Sequence, residues 1–117
     1  MKKVLLAVLL LFAAHTSHAE MSVALFKQLH KGSELEKYTA EMYINGVANG
    51  YSYLNTFLAE KNQPQLFCYD GDFSTEELLK LTADGVKTLD LKKEDSADKT
   101  IEEVLLGKLQ RLYPCPD

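Results

Sequence analysis

Cysteine occurs only twice in this chain of 117 residues, at Cys68 and at Cys115, the latter two residues from the C-terminus. A bond between them would tie the end of the chain to its middle, so the first question is whether they meet oxidising conditions. The N-terminus answers it. Lys2 and Lys3 form a charged start, Val4 to Ala14 an apolar run, and Ser17-His18-Ala19 a small-x-small cleavage site before Glu20. This is the pattern of a secretory signal peptide over residues 1–19. The apolar run is about eleven residues, roughly half of what a membrane-spanning helix needs, so the sequence predicts no membrane insertion once the leader is removed. Glu20, not a lipid-bearing cysteine, stands directly after the leader, so no lipoprotein is expected. Export places Cys68 and Cys115 where thiols oxidise, and the expectation is one structural disulfide, not a metal site or a nucleophile. Closing a loop of roughly 46 residues contributes about 4 kcal/mol in the chain-entropy account. That is a large share of the ~5–10 kcal/mol that holds a small domain folded.

Residues 20–117 suffice for one domain with a modest core and are too few for two. Without Lys2 and Lys3, 11 basic side chains face 17 acidic ones, a net charge of −6. That balance disfavours a nucleic-acid or anionic-membrane surface and points to a neutral or basic partner. The pattern of apolar residues is helical over most of the chain. Val23, Phe26 and Leu29 recur at helical spacing until His30-Lys31-Gly32 stops them. Ser33 and Glu36 form a capping box, after which Tyr43, Val47, Tyr51, Leu54 and Leu58 mark a long central helix from Leu35 to Leu58. Asn62-Gln63-Pro64-Gln65 breaks it, and Tyr69-Asp70-Gly71-Asp72 forms a turn after Leu66-Phe67-Cys68. Ser74 and Glu77 give a second capping box, with Leu78, Thr82, Val86 and Leu89 on one face of the helix that follows. A charged connection, Asp90 to Asp95, leads to a last helix from about Ser96 to Tyr113, with Ala97, Ile101, Val104, Leu105, Leu109 and Leu112 facing inward and Pro114 ending it. The expected fold is all-α: a compact bundle of about four helices closed by one disulfide.

One stretch competes with this reading. Two Asn-Gly pairs, Asn45-Gly46 and Asn49-Gly50, lie among β-favouring residues, a hairpin signal. Their four-residue spacing puts both glycines on one side of a helix and leaves no strand between two such turns. A helix is therefore expected here. Interior glycines cost about 1 kcal/mol each against alanine, so Gly46 and Gly50 are expected at a close approach, either to a neighbouring helix of the same chain or at a helix crossing in a dimer.

No catalytic constellation emerges. Only His30 remains after the leader, and a solvated histidine near a helix C-terminus accounts for it. Asp70-Gly71-Asp72 with Glu76 and Glu77 lacks the ligand spacing of a calcium loop, and acidic residues suit a turn before a helix N-terminus. There is no phosphate loop, no zinc spacing and no basic stripe interleaved with aromatics. The expectation is a binding module with no catalytic residues, no metal and no cofactor. Its expected contact surface is Asp90-Leu91-Lys92-Lys93-Glu94-Asp95, charged, between two capped helices, with Leu91 otherwise unexplained; Tyr69, an aromatic in an expected loop, is the second candidate.

Tyr43-Ile44-x-Gly46-Val47-x-x-Gly50-Tyr51, then Phe67-Cys68 before a Ser-capped helix, then Leu105 to Tyr113-Pro114-Cys115, resembles the Tai-type family of type VI secretion amidase immunity proteins. The resemblance spans roughly residues 38 to 115. It departs from the family pattern at Asn49, where an acidic residue is common, at Tyr69, where a proline is common, and in lacking further N-terminal cysteines. The resemblance implies a periplasmic all-helical homodimer that blocks a peptidoglycan amidase, a papain-like cysteine enzyme injected by neighbouring cells, by inserting an inter-helix loop or helix edge into its cleft. A different class fits the same composition: a small exported helical chaperone of acid stress, which would lose compact structure and expose apolar faces at low pH.

Overall fold

The computed structural model describes residues 20–91 and 98–117, with the side chain of Leu91 left aside. The expected leader, 1–19, lies outside the described residues. Four α-helices follow one another: α1 (Val23–His30), α2 (Glu34–Glu60), α3 (Thr75–Leu91) and α4 (Ile101–Leu112). The described residues contain no strand, only an isolated antiparallel bridge between Ser22 and Thr100. The all-α bundle and the Cys68–Cys115 disulfide, with its Cα atoms 4.8 Å apart, match the sequence expectation.

The helix starts follow from local chemistry. Ser33 Oγ accepts from the Glu36 N–H while the Glu36 carboxylate accepts from the Ser33 N–H, at 3.3 and 2.6 Å. Ser74 and Glu77 repeat the exchange at 3.1 and 2.7 Å. Each pair satisfies donors that the first turn cannot. Over the two Asn-Gly pairs α2 continues without a break. It ends where Asn62 takes the left-handed conformation, φ 54°, and the Gln63 N–H returns to the Leu58 carbonyl at 2.8 Å.

Three expectations about the elements need correction. The last helix starts at Ile101, not Ser96. Thr100 is its N-cap, boxed with Glu103, and the backbone before it is used otherwise: Val23 N–H donates to the Lys99 carbonyl and Ile101 N–H to the Met21 carbonyl, both at 2.8 Å. Residues 99–101 pair with 21–23, which sets the helix start at Ile101; Ser96 and Ala97 lie outside the described residues. Leu112, expected inside, is exposed. The third helix extends through Asp90 and Leu91, which the sequence reading places in the connection.

The core lies where α1, the inner face of α2, α3 and α4 converge, built from Val23, Phe26, Ile44, Leu78, Val86, Ile101, Leu105 and Leu109 with Thr82 among them. On α2 the buried face is Ala40, Ile44, Ala48 and Asn55, while Leu54, expected inside, is exposed. Asn55 is the buried polar residue that sequence periodicity missed. Its Nδ2 donates to the Phe67 carbonyl at 2.9 Å and its Oδ1 accepts from the Leu66 N–H at 2.7 Å, which fixes the segment carrying Cys68 against α2. Cys68 N–H in turn donates to the Tyr113 carbonyl at 2.8 Å, beside the disulfide.

A polar knot joins α2 to the start of α4. Tyr43 Oη accepts from the Met21 N–H at 2.9 Å and donates to the Glu102 carboxylate, and Tyr51 Oη donates to the Glu102 carbonyl at 2.7 Å. Burial first, then the Glu102 carboxylate, pushes the Tyr43 phenol from its ordinary 10.0 up to about 12. Burial and the charges of Glu102 and Glu103 raise Tyr51 to about 12 as well. Because the folded values lie above the unfolded one, the contribution of these phenols to stability is complete below about pH 10 and is lost as pH climbs towards 12. Spectrophotometric titration of phenolate should therefore show a late ionisation phase coincident with unfolding. Tyr43→Phe combined with Tyr51→Phe should remove that phase.

Candidate functional site

Helix α2 is apolar on two opposite sides. A helix advances 100° per residue, so Ala40, Ile44, Ala48 and Asn55 share the inner face, while Leu35, Tyr38, Met42, Gly46, Gly50, Tyr53 and Phe57 lie round the outer one. The outer side chains face solvent: Leu35 is 74% exposed, Tyr53 78%, and Tyr38, Met42 and Phe57 about half. The stripe runs from the first turn of α2 to its last, about 33 Å. Sequence periodicity obscured it, because apolar residues on both faces blur a single repeat. The separate series at 35, 38, 42, 53 and 57 was the available signal.

Gly46 and Gly50 sit in the middle of this outer stripe. A Cβ on either would meet nothing within 4 Å, so the expected close approach to a neighbouring helix of the same chain does not occur. The close-packed glycine is Gly85 of α3. A Cβ there would lie 2.5 Å from Val104 Cγ1 and 3.2 Å from Lys108 Cγ, which lets α3 and α4 approach each other.

The expected contact loop is only partly described. Asp90 stands near the C-terminal end of α3, where its carboxylate accepts from Lys27 Nζ of α1 at 2.6 Å. Leu91 is the last residue of α3. Lys92, Lys93, Glu94 and Asp95 lie outside the described residues. On the far side of the connection, Lys99 to Ile101 is held by its backbone pairing with Met21 to Val23. Both flanks of the connection are thus anchored on the N-terminal segment. Tyr69 is not in this neighbourhood. It stacks on Phe73 at 4.0 Å and tilts against Tyr113 at 4.6 Å, an aromatic cluster beside the disulfide that leaves about a third of its surface exposed. Gly71, at φ +143°, makes the turn beneath it, a conformation that favours glycine.

Two hollows lie among the described residues. One, about 190 Å³, lies between α3 and α4 over Gly85 and Val104, with Lys99, Lys108 and Arg111 at its rim. The other, about 220 Å³, is bordered by Asn55, Gln65, Tyr69 and Asp72. Both are smaller than the roughly 300–1,000 Å³ of ordinary small-molecule sites. His30 lies on Phe26, ring centroids 5.2 Å apart, and both sulfurs are in the disulfide. Among the described residues no group of three or more His, Cys, Asp or Glu side chains converges as a metal set, and no helix is long and apolar enough to cross a membrane. Asp84 is held below its ordinary 3.8 by a hydrogen bond from Lys80, an exposed pair one turn apart.

No protein-family model, curated protein or solved structure matches this chain.

The contrast between the glycines gives a stability test. Gly107→Ala, in α4 with nothing within 4 Å of the new Cβ, should raise unfolding free energy by about 1 kcal/mol through helix propensity. Gly85→Ala should lower it by about 1–2 kcal/mol, because Val104 must move. Urea unfolding of the two variants reads both signs.

Proposed function

We propose that this protein is an exported, non-catalytic inhibitor: a periplasmic immunity protein that occludes the cleft of a peptidoglycan amidase of the papain-like cysteine class. The observation that carries the reading is the anchoring of the α3–α4 connection. Its leading flank is fixed by the Lys27–Asp90 ion pair and its trailing flank by two backbone hydrogen bonds to Met21 and Val23. A loop that enters an enzyme cleft inhibits best when its flanks are already held, since less freedom is then lost on binding. The resemblance of the glycine-bearing central helix and of the terminal Tyr-Pro-Cys to amidase immunity proteins supports the same reading. In it Leu91 is the apolar anchor, and Lys92, Lys93, Glu94 and Asp95 are the polar rim that fixes register on the target. The side chains of the inhibitor need no perturbed acid, base or nucleophile for this task. Substrate access is blocked by shape.

Titration of the mature, oxidised protein into the cognate amidase at neutral pH should reach full inhibition at a defined stoichiometry. Leu91→Asp, and charge reversal at Lys92 and Lys93, should each weaken binding by about tenfold or more, equivalent to about 1.4 kcal/mol, with the helical circular-dichroism spectrum unchanged. Unaltered affinity in both variants removes the connection from the interface. Absence of any amidase binding, together with suppression of aggregation of unrelated proteins at about pH 2–3, would transfer the assignment to an acid-stress chaperone.

A further inference from the structure

The hollow between α3 and α4 joins an apolar floor to a basic rim. Val104 and Leu89, which belong to the core and to its partly buried edge, form the floor. At the rim Lys99, Lys108 and Arg111 stand against one carboxylate, Glu103, a surplus of two positive charges. Glu103 is already engaged, since it accepts from the Thr100 N–H at 3.0 Å. The surplus is local, because residues 20–117 together carry a net charge of −6. Arg111 is the sole arginine of the sequence. Among the described residues neither Lys108 nor Arg111 has a hydrogen-bond or ion-pair partner.

Two glycines shape the hollow. Lys108 Cγ lies 3.2 Å from where a Cβ of Gly85 would stand, so the Lys108 stem packs on α3 and only its ammonium is left for the rim. Gly107 lines the hollow from the interior of α4, where a Cβ would touch nothing within 4 Å. Glycine there weakens the helix, and no neighbour in the chain requires it. What its missing side chain preserves is the opening.

We infer that this hollow binds a small organic carboxylate with a short apolar body, the carboxylate on Arg111 and Lys108 and the body on Leu89 and Val104. A guanidinium presents paired N–H donors in a fork that matches a carboxylate, and the nearby ammonium adds charge. An uncharged polar ligand is served less well, since the Thr88 hydroxyl is committed to the Asp84 carbonyl at 2.9 Å. The volume of about 190 Å³ admits a short acid and excludes a nucleotide or other large ligand. Bare phosphate would leave the apolar floor uncovered. The same carboxylate chemistry occurs in a free acid and at the end of a peptide chain. The inference does not rest on the inhibitor reading, since it uses no residue from Asp90 to Asp95.

The test is titration of the disulfide-closed protein with hexanoate at neutral pH and constant ionic strength, followed by amide chemical shifts. Saturable shifts at Gly85, Leu89, Val104 and Gly107, with a dissociation constant on the order of 1 mM, are expected. Hexanamide, the uncharged counterpart, should bind about tenfold more weakly or worse. Arg111→Gln should weaken hexanoate by about tenfold and leave hexanamide unchanged. Gly107→Leu, which fills the opening, should abolish binding of both with the helical circular-dichroism spectrum intact. Tighter binding of hexanoate than of N-acetylleucine supports a free acid as occupant, and the reverse order supports a chain end. Absence of shifts at these amides up to roughly 50 mM hexanoate would overturn the inference. Equal affinity for hexanamide, or equal shifts with inorganic phosphate, would overturn the carboxylate assignment, and hexanoate binding unaltered in both Arg111→Gln and Gly107→Leu would overturn the site.

Discussion

The architecture turns on a helix that cannot bury both of its apolar faces within its own chain. Helix α2 has 27 residues, about 40 Å of length, while α1 has 8 and α4 has 12. Neighbours of that size cover one side only. They cover the side of Ala40, Ile44, Ala48 and Asn55, and the side of Leu35, Tyr38, Met42, Tyr53 and Phe57 stays bare. A helix apolar all round belongs inside something. The one-sided packing that forms the core therefore leaves a bare apolar face on α2, with two open glycines in its middle.

Around this helix the rest of the chain is fastened at a few non-local points. Asn55 grips the segment before Cys68, the disulfide carries that grip to the end of α4, and Tyr43 and Tyr51 of α2 hold the start of α4 through Glu102. Met21 and Val23 pair with the backbone at the start of α4, and Lys27 holds the end of α3 through Asp90. These ties matter because hydrophobic burial is non-directional, whereas hydrogen bonds and a disulfide set register. Their arrangement also separates two regions of the surface. The outer face of α2 has no such ties and presents apolar area. The α3–α4 connection is tied at both flanks. In the proposed inhibitor the tied connection is the region that meets the amidase.

Much of this was legible in the sequence, for identifiable reasons. Capping boxes are local, so Ser33–Glu36 and Ser74–Glu77 marked two helix starts correctly. The spacing of Val23, Phe26 and Leu29 found α1, and the four-residue offset of the Asn-Gly pairs favoured helix over hairpin, as the unbroken α2 bears out. What escaped were features set by distant partners. The start of α4 is decided by pairing with Met21 to Val23, far away in sequence, although Thr100–Glu103 carried the cap signal in plain view. Asn55 interrupts the apolar repeat because it serves a backbone eleven residues on. Gly85 went unnoticed as the close-packing glycine because nothing in its flanking residues reports on Val104. The outer stripe was hidden by the inner one. Of the proposed contact loop, only Asp90 and the helical position of Leu91 fall among the described residues.

The proposed inhibitor stands on the α3–α4 connection meeting an enzyme cleft, and hydrogen exchange on the intact, disulfide-closed protein, alone and with saturating amidase, tests it most directly. Slowed exchange on binding, confined to the amides at the end of α3 and around Lys99, is the predicted result. Unchanged exchange there, with protection elsewhere, would contradict it.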